Sequence, residues 1–189
     1  MMVQRHPSGA RLHLPRAHLG VDDASLPRAL KRVAAKVGDR VLFRLIGSGQ
    51  EEALVRAFLD ANPLDHLVWE PWVPYEQLQQ RIAAADVCLG IFGESQKAAS
   101  VVPNKAYQVL LAGRSLVTRD SPAMRELLAP DTPGVRLVPP ADPQALLDAI
   151  ASLEQEGWPQ PPEALRDRFS PSAIGGRLRG EIEGVVQNH

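Results

Sequence analysis

Short apolar runs alternate along the chain with segments whose apolar residues recur every three or four positions. Residues 41–46 (Val-Leu-Phe-Arg-Leu-Ile) predict a strand closed by Gly47-Ser48-Gly49. Ala53, Leu54, Ala57 and Phe58 then share a helical face, and Asn62-Pro63 ends that helix. Residues 66–69 predict a short strand. A helix opens at Pro74 and runs through Ala84, with proline in its first turn and Glu76 near its positive end. After Asp86, residues 87–91 are almost wholly apolar, as suits the buried middle of a parallel sheet. Residues 93–102 have no periodicity and read as a loop. A helix is predicted over 103–111, stopped by Gly113, then a strand over 115–118, a short helix from Ser121-Pro122 through Leu128, a strand over 135–138, and a helix from Asp142-Pro143 to about residue 155.

The two ends follow this rhythm less closely. Residues 1–20 hold one weak strand, 10–14, before a helix over 25–37. Residues 157–162 are rich in proline and break the chain. Ile174, Leu178, Ile182 and Val185 then recur at helical spacing, in a terminal amphipathic helix weakened by Gly175, Gly176, Gly180 and Gly184. Repeated β–loop–α units predict an α/β fold, a doubly wound, Rossmann-like parallel sheet in a single domain. The expected organisation is a poorly defined N-terminal segment over 1–22 containing the weak first strand, a Rossmann-like body over 23–156, and the proline-rich break and C-terminal helix over 157–189.

Composition narrows the function. The 189 residues carry 21 Lys+Arg against 22 Asp+Glu, so no basic excess exists to neutralise a phosphate backbone, and a dedicated nucleic-acid binder is not expected. With 44% hydrophobic and 23% charged residues the chain is globular rather than disordered. Its 17 prolines and few aromatics predict short elements around a core of Leu, Val, Ile and Ala. Cys88 is the one cysteine, which allows neither an internal disulfide nor a cysteine zinc site; in an apolar strand it reads as an inert thiol. No apolar run reaches the roughly 18 residues of a membrane span, and no signal-peptide core is evident near the N-terminus. The expectation is a cytoplasmic protein without a transmembrane segment, with a peripheral place at a membrane left open.

Candidate chemistry lies where strands give way to helices. Gly47-Ser48-Gly49 lets backbone amides approach a phosphate at a helix N-terminus, or is an ordinary tight turn; it lacks the third glycine of a dinucleotide fingerprint and the Lys-Ser/Thr of a P-loop. Phe92-Gly93-Glu94-Ser95 follows the second buried strand, another ligand-loop position. Asn104 and Lys105 fall in the first turn of a helix, where a lysine opposes the helix dipole; a bound anion accounts for that, and so does a solvated lysine on the flank. Trp72-Val73-Pro74-Tyr75 offers an aromatic to stack a nucleobase, or a Trp packed between helix and sheet. The five histidines show no ligand spacing, no metal site is expected, and no serine sits in a nucleophile elbow. Glu51-Glu52 and Asp22-Asp23 read as solvated helix-start charges rather than an acid/base pair.

The order of these motifs resembles the C-terminal, donor-binding half of a GT-B fold, group 1 retaining glycosyltransferase. The likeness runs from about Asp22 to Ile150. Residues 43–49 are similar to the family's strand and Gly-x-Gly turn, and Glu70-Pro71-Trp72-Val73-Pro74 to its Trp-Val-Pro segment. Ala83-Ala84-Ala85-Asp86-Val87 resembles the family's lead into the next strand, residues 111–118 the stretch closing the donor-site helix, and Val138-Pro139-Pro140-Ala141-Asp142-Pro143 a "VPPGDP" segment. The resemblance implies a nucleoside-diphosphate sugar as donor substrate, no cofactor, and metal-independent transfer of a hexose, with leaving-group charge stabilised by basic groups and helix N-termini. It places Gly47, Ser48 and Gly49 at the diphosphate, Val73 at the base, Gly93, Glu94 and Ser95 at the sugar, and Asn104, Lys105 and Gln108 beside phosphate and ribose. No catalytic residue is assigned.

The chain also departs from the family pattern. The two glutamates spaced E-x7-E fall on Ser100 and Gln108; Gln108 can still hydrogen-bond a ribose hydroxyl, as a neutral partner. Before Gly20-Val21-Asp22 the expected basic residue is Leu19, and the expected glycine is His13. A GT-B enzyme places its active site between two such domains, and the acceptor-binding half is not in this sequence. The favoured reading is therefore part of a two-domain glycosyltransferase, inactive alone, whose helix over 170–186 packs on an N-terminal half or another chain. The alternatives are a degenerate, catalytically inactive domain acting as a nucleotide-binding or protein-interaction module, and an unrelated doubly wound module. The last is disfavoured because no acidic ribose-binding residue follows the Gly47–Gly49 turn at the end of a next strand.

Overall fold

The computed structural model describes residues 2–5, 10–14, 41–47, 52–63, 67–70 and 72–187. The expected helix over 25–37 lies outside the described residues, as do Ser48 and Gly49.

Among the described residues, seven strands form one sheet: β1 (Met2–Arg5), β2 (Ala10–Leu14), β3 (Val41–Ile46), β4 (Leu67–Glu70), β5 (Val87–Leu89), β6 (Ser115–Arg119) and β7 (Val135–Val138), in the order β4-β3-β1-β2-β5-β6-β7. Six of them pair in parallel. β1 is antiparallel to β2, and both strands of this hairpin also pair with β3 and β5. The sequence pattern predicts β2 but not β1. From β2 the chain winds outward through β3 to β4 on one side, then returns through β5 to β7 on the other. That reversal is the topological switch point of a doubly wound sheet, where ligands bind outside the strands' carboxyl ends.

Strand alternation builds two cores. Val87 and Leu89 of β5 and Val117 of β6 face one side, and Cys88 and Leu116 the other. Helix α6 (Pro143–Gln155) covers the first face with Leu146, Leu147, Ala149, Ile150 and Leu153. Its start is fixed by Asp142, whose Oδ1 accepts the backbone N–H groups of Gln144 (2.9 Å) and Ala145 (3.0 Å), with Pro143 next in the first turn. The second face is covered by α2 (Tyr75–Ala83), α4 (Asn104–Leu111) and α5 (Pro122–Leu127), which bury Ile82, Val109, Leu110 and Met124. Helix α1 (Glu52–Ala61) links β3 to β4.

Among the described residues, two helices lie where none was expected. Helix α3 (Gln96–Ser100) occupies the segment read as a loop, capped by Ser95 Oγ, which accepts the Ala98 N–H at 3.2 Å. Helix α7 (Glu163–Arg168) follows the proline-rich break. That break is built into the body: Trp158 belongs to the first core and Phe169 to the second, and the Ser115 hydroxyl donates to the Pro159 carbonyl at 2.6 Å. The terminal helix α8 (Pro171–Gln187) forms as expected, but Ile174, Leu178 and Ile182 stand 47%, 61% and 56% exposed. Among the described residues, no helix is long and apolar enough to cross a membrane.

Candidate functional site at the carboxyl edge of the sheet

Three segments flank the switch point at the carboxyl edge: the turn after β3, the loop after β5, and the start of α4. The turn begins at Gly47, whose φ of 123° lies in a region that L side chains rarely adopt. Gly47 is held from both sides. Its N–H donates to the Glu70 carbonyl at 2.9 Å, and its own carbonyl accepts the Trp69 indole N–H at 2.9 Å. The Arg56 guanidinium lies over the Trp69 ring at 4.7 Å, and the Glu70 carboxylate pairs with Arg44 and with Arg81 (3.1 Å). Burial alone would raise the Glu70 pKa; the two guanidiniums outweigh it and hold the carboxyl below its usual range. β4 thus braces the glycine turn.

The loop after β5 is fastened to the end of β6. Gly90 N–H donates to the Val117 carbonyl (2.7 Å), Ile91 N–H to the Thr118 hydroxyl (3.3 Å), and Arg119 N–H to the Ile91 carbonyl (2.9 Å). Gly90 is required by this closeness: a Cβ there would lie 2.2 Å from Thr118 Oγ1. Farther along, the Arg119 guanidinium donates to the carbonyls of Gly93 and Ser95. Gly93 is buried and Glu94 exposed. Ser95 is exposed, with its hydroxyl engaged in capping α3.

Lys105 is the unusual residue. It is 6% exposed, on the same face of α4 as Ala106, Val109 and Leu110, so it is not a solvated flank lysine. Its Nζ reaches the Gly90 carbonyl at 3.4 Å, which places the start of α4 against the end of β5. Burial lowers its pKa from 10.5 to about 7. Cys88 is itself buried and its thiol is pushed up to about 12, so it stays a neutral core side chain. Asn104 is exposed and Gln108 half-buried, one turn apart on the flank of α4.

The structure therefore places Gly47 directly after β3, Gly93, Glu94 and Ser95 in the loop after β5, and Asn104, Lys105 and Gln108 in the first two turns of α4. Val73 turns its side chain into the second core, while Trp72 beside it is 70% exposed and Tyr75 56% exposed. The Trp packed between helix and sheet is thus not what forms. Sequence reasoning missed Thr118 and Arg119, which shape the loop. The available signal was a polar pair, Thr118-Arg119, closing the strand after Leu116 and Val117.

Comparison with known proteins agrees with this architecture. The family described as "Glycosyl transferases group 1" matches residues 24–156. No curated protein matches significantly. Among solved structures, the pneumococcal O-GlcNAc transferase GtfA, in complex with UDP and GlcNAc, superposes with a TM-score of 0.62 at 18% identity, over 97% of this chain and 37% of its own. Sucrose-phosphate synthase of Thermosynechococcus elongatus gives 0.68 at 19% identity, over 94% and 46%. HepE of Anabaena, in complex with UDP-glucose, gives 0.69 at 14% identity, over 91% and 48%. The chain thus spans less than half the length of each. At these identities the likeness establishes the fold alone, a Rossmann-like unit corresponding to one half of a GT-B fold.

Proposed function

Because the chain belongs to the group 1 glycosyltransferases, we propose that it is the donor-binding half of a hexosyltransferase, binding a nucleoside-diphosphate sugar at the carboxyl edge of its sheet. The observation that carries this reading is a buried lysine in the first turn of α4 that reaches the end of β5, on the sheet edge where the braced Gly47 turn ends β3. The solved relatives support the ligand class, since GtfA is bound to UDP and HepE to UDP-glucose.

In this reading the backbone at Gly47, Ser48 and Gly49 approaches the diphosphate, the backbone at Val73 meets the base with Trp72 free to stack on it, and Gly93, Glu94 and Ser95 face the sugar. Asn104 and Gln108 reach phosphate and ribose from the flank of α4. An anion near Lys105 favours its ammonium form, so binding takes up part of a proton near neutral pH. The positive charge and the α4 N-terminus then stabilise the charge that develops on the leaving diphosphate.

The chain spans 37–48% of the relatives' lengths, which supports an acceptor-binding half as partner. Ile174, Leu178 and Ile182 on α8 are the apolar residues it would cover. The proposed location is cytoplasmic, with the acceptor as the route to any membrane. A second reading, a degenerate nucleotide-binding or interaction module, is favoured by one observation: Ser100 and Gln108 stand where the family carries two glutamates.

A thermal-shift screen with nucleoside diphosphates and nucleotide-sugars tests the proposal. Stabilisation by at least one of them, growing with concentration, is expected. Lys105→Ala should reduce that shift far more than Lys97→Ala, which alters an exposed residue of α3. No shift with any nucleotide would favour the interaction module.

A further inference from the structure

We propose that Arg119 is a positioning residue of the donor site, holding the sugar-facing loop 93–95 in its binding shape from the end of β6. The inference rests on the donor-site reading above. Loop 90–95 takes its conformation from the neighbouring strand: main-chain bonds and the Thr118 hydroxyl fix residues 90 and 91, and the Ala141 N–H donates to the Phe92 carbonyl at 3.2 Å. Beyond Phe92 the described tie from β6 is a single side chain. Arg119 Nη1 donates to the Gly93 carbonyl and, at 3.1 Å, to that of Ser95, which also accepts the Ala99 N–H (3.2 Å) and so starts α3. One guanidinium therefore sets both the loop and the helix that follows it.

Three features suit Arg119 to this role. Its backbone lies in the β6–β7 ladder, in register with Val138, so the clamp is anchored in the sheet. Among the described residues it forms no ion pair, while the neighbouring Asp120 is engaged by Arg125. Its Nε is buried without a hydrogen-bond partner among the described residues, so the contacts to the loop are made by Nη1. Two carbonyls 2 residues apart, bridged by one cation, fix the direction of the peptide groups between them, and those groups are what a sugar's hydroxyls would meet.

Hydrogen exchange and calorimetry on the full chain test the clamp. In Arg119→Ala, exchange should quicken at residues 93–99 while β6 and β7 amides stay protected, which also shows that the variant is folded. UDP-glucose affinity should fall about tenfold, with UDP affinity changed less than twofold, and Arg119→Lys should recover part of the loss. Unchanged exchange at 93–99, or equal weakening of both ligands, would overturn the proposal. If the unsubstituted chain binds no nucleotide, the donor reading fails, and exchange alone decides whether Arg119 orders the loop. Should the alanine variant not fold, Arg119→Gln, which keeps a donor without the charge, is judged by the same two readouts.

Discussion

Replacing Lys105 by Met tests the energetics of the site directly. The substitution keeps length and apolar volume and removes the charge. Folding lowers the lysine's pKa from 10.5 to about 7 because the ammonium leaves water. Between those values the unfolded chain binds more protons than the folded one, so the lysine's contribution to stability rises with pH and is most unfavourable at and below neutrality. At about 1.4 kcal/mol per unit, the penalty is about 4–5 kcal/mol at pH 7 and about 2 kcal/mol at pH 9. Lys105→Met should therefore be the more stable protein at pH 7, and its advantage should shrink by about 2 kcal/mol by pH 9. Urea unfolding of both proteins at pH 7, 8 and 9 measures that gap. Groups titrating elsewhere cancel in the comparison, and the Cys88 thiol, pushed up to about 12, does not ionise in this window. Parallel stability profiles would refute the argument, since they would mean the ammonium is not desolvated. The same variant should bind nucleoside diphosphates more weakly, the usual cost of stabilising a site by removing its charge.

Two further substitutions probe the backbone around the loop. Ala141 has a φ of 51° where the resembled segment carries glycine, so Ala141→Gly should raise stability by about 1 kcal/mol; a lower melting temperature than the parent would contradict this. Gly90→Ala would place a methyl 2.4 Å from the buried Thr118 Cβ, and overpacking of this kind should cost about 1–3 kcal/mol. An unchanged denaturant midpoint would show that β5 and β6 separate there without strain.

Much of the fold is legible because apolar runs and helical periods alternate along the chain. β5 reads as a buried strand because residues 87–91 are almost wholly apolar, and the Asp142-Pro143 pair marks the start of α6 in the sequence itself. The elements that escape are short. Gln96–Ser100 spans one turn with no buried residue, so its sequence carries no amphipathic signal; it is a helix because Ser95 caps it and Arg119 holds the Ser95 carbonyl. Helix α7 hides behind prolines that look like a terminus to the body, although Trp158 and Phe169 on either side of it complete the two cores.

The site divides along the same line. Which residues stand at the carboxyl edge follows from strand–helix order, and order is visible in sequence. How each side chain is used depends on its neighbours. Lys105 shares a face with Val109 four residues on, a spacing that marks it as inward-facing, yet only its place against β5 shows that its ammonium meets the Gly90 carbonyl. Trp72 and Val73 are adjacent apolar residues, and the sheet alone decides that the valine packs while the tryptophan is left to solvent. Ser95 and Arg119 are 24 residues apart and joined by one hydrogen bond across two strands. The local pattern therefore locates the carboxyl edge of the sheet, and the cross-strand contacts, which have no period, decide which groups that edge exposes.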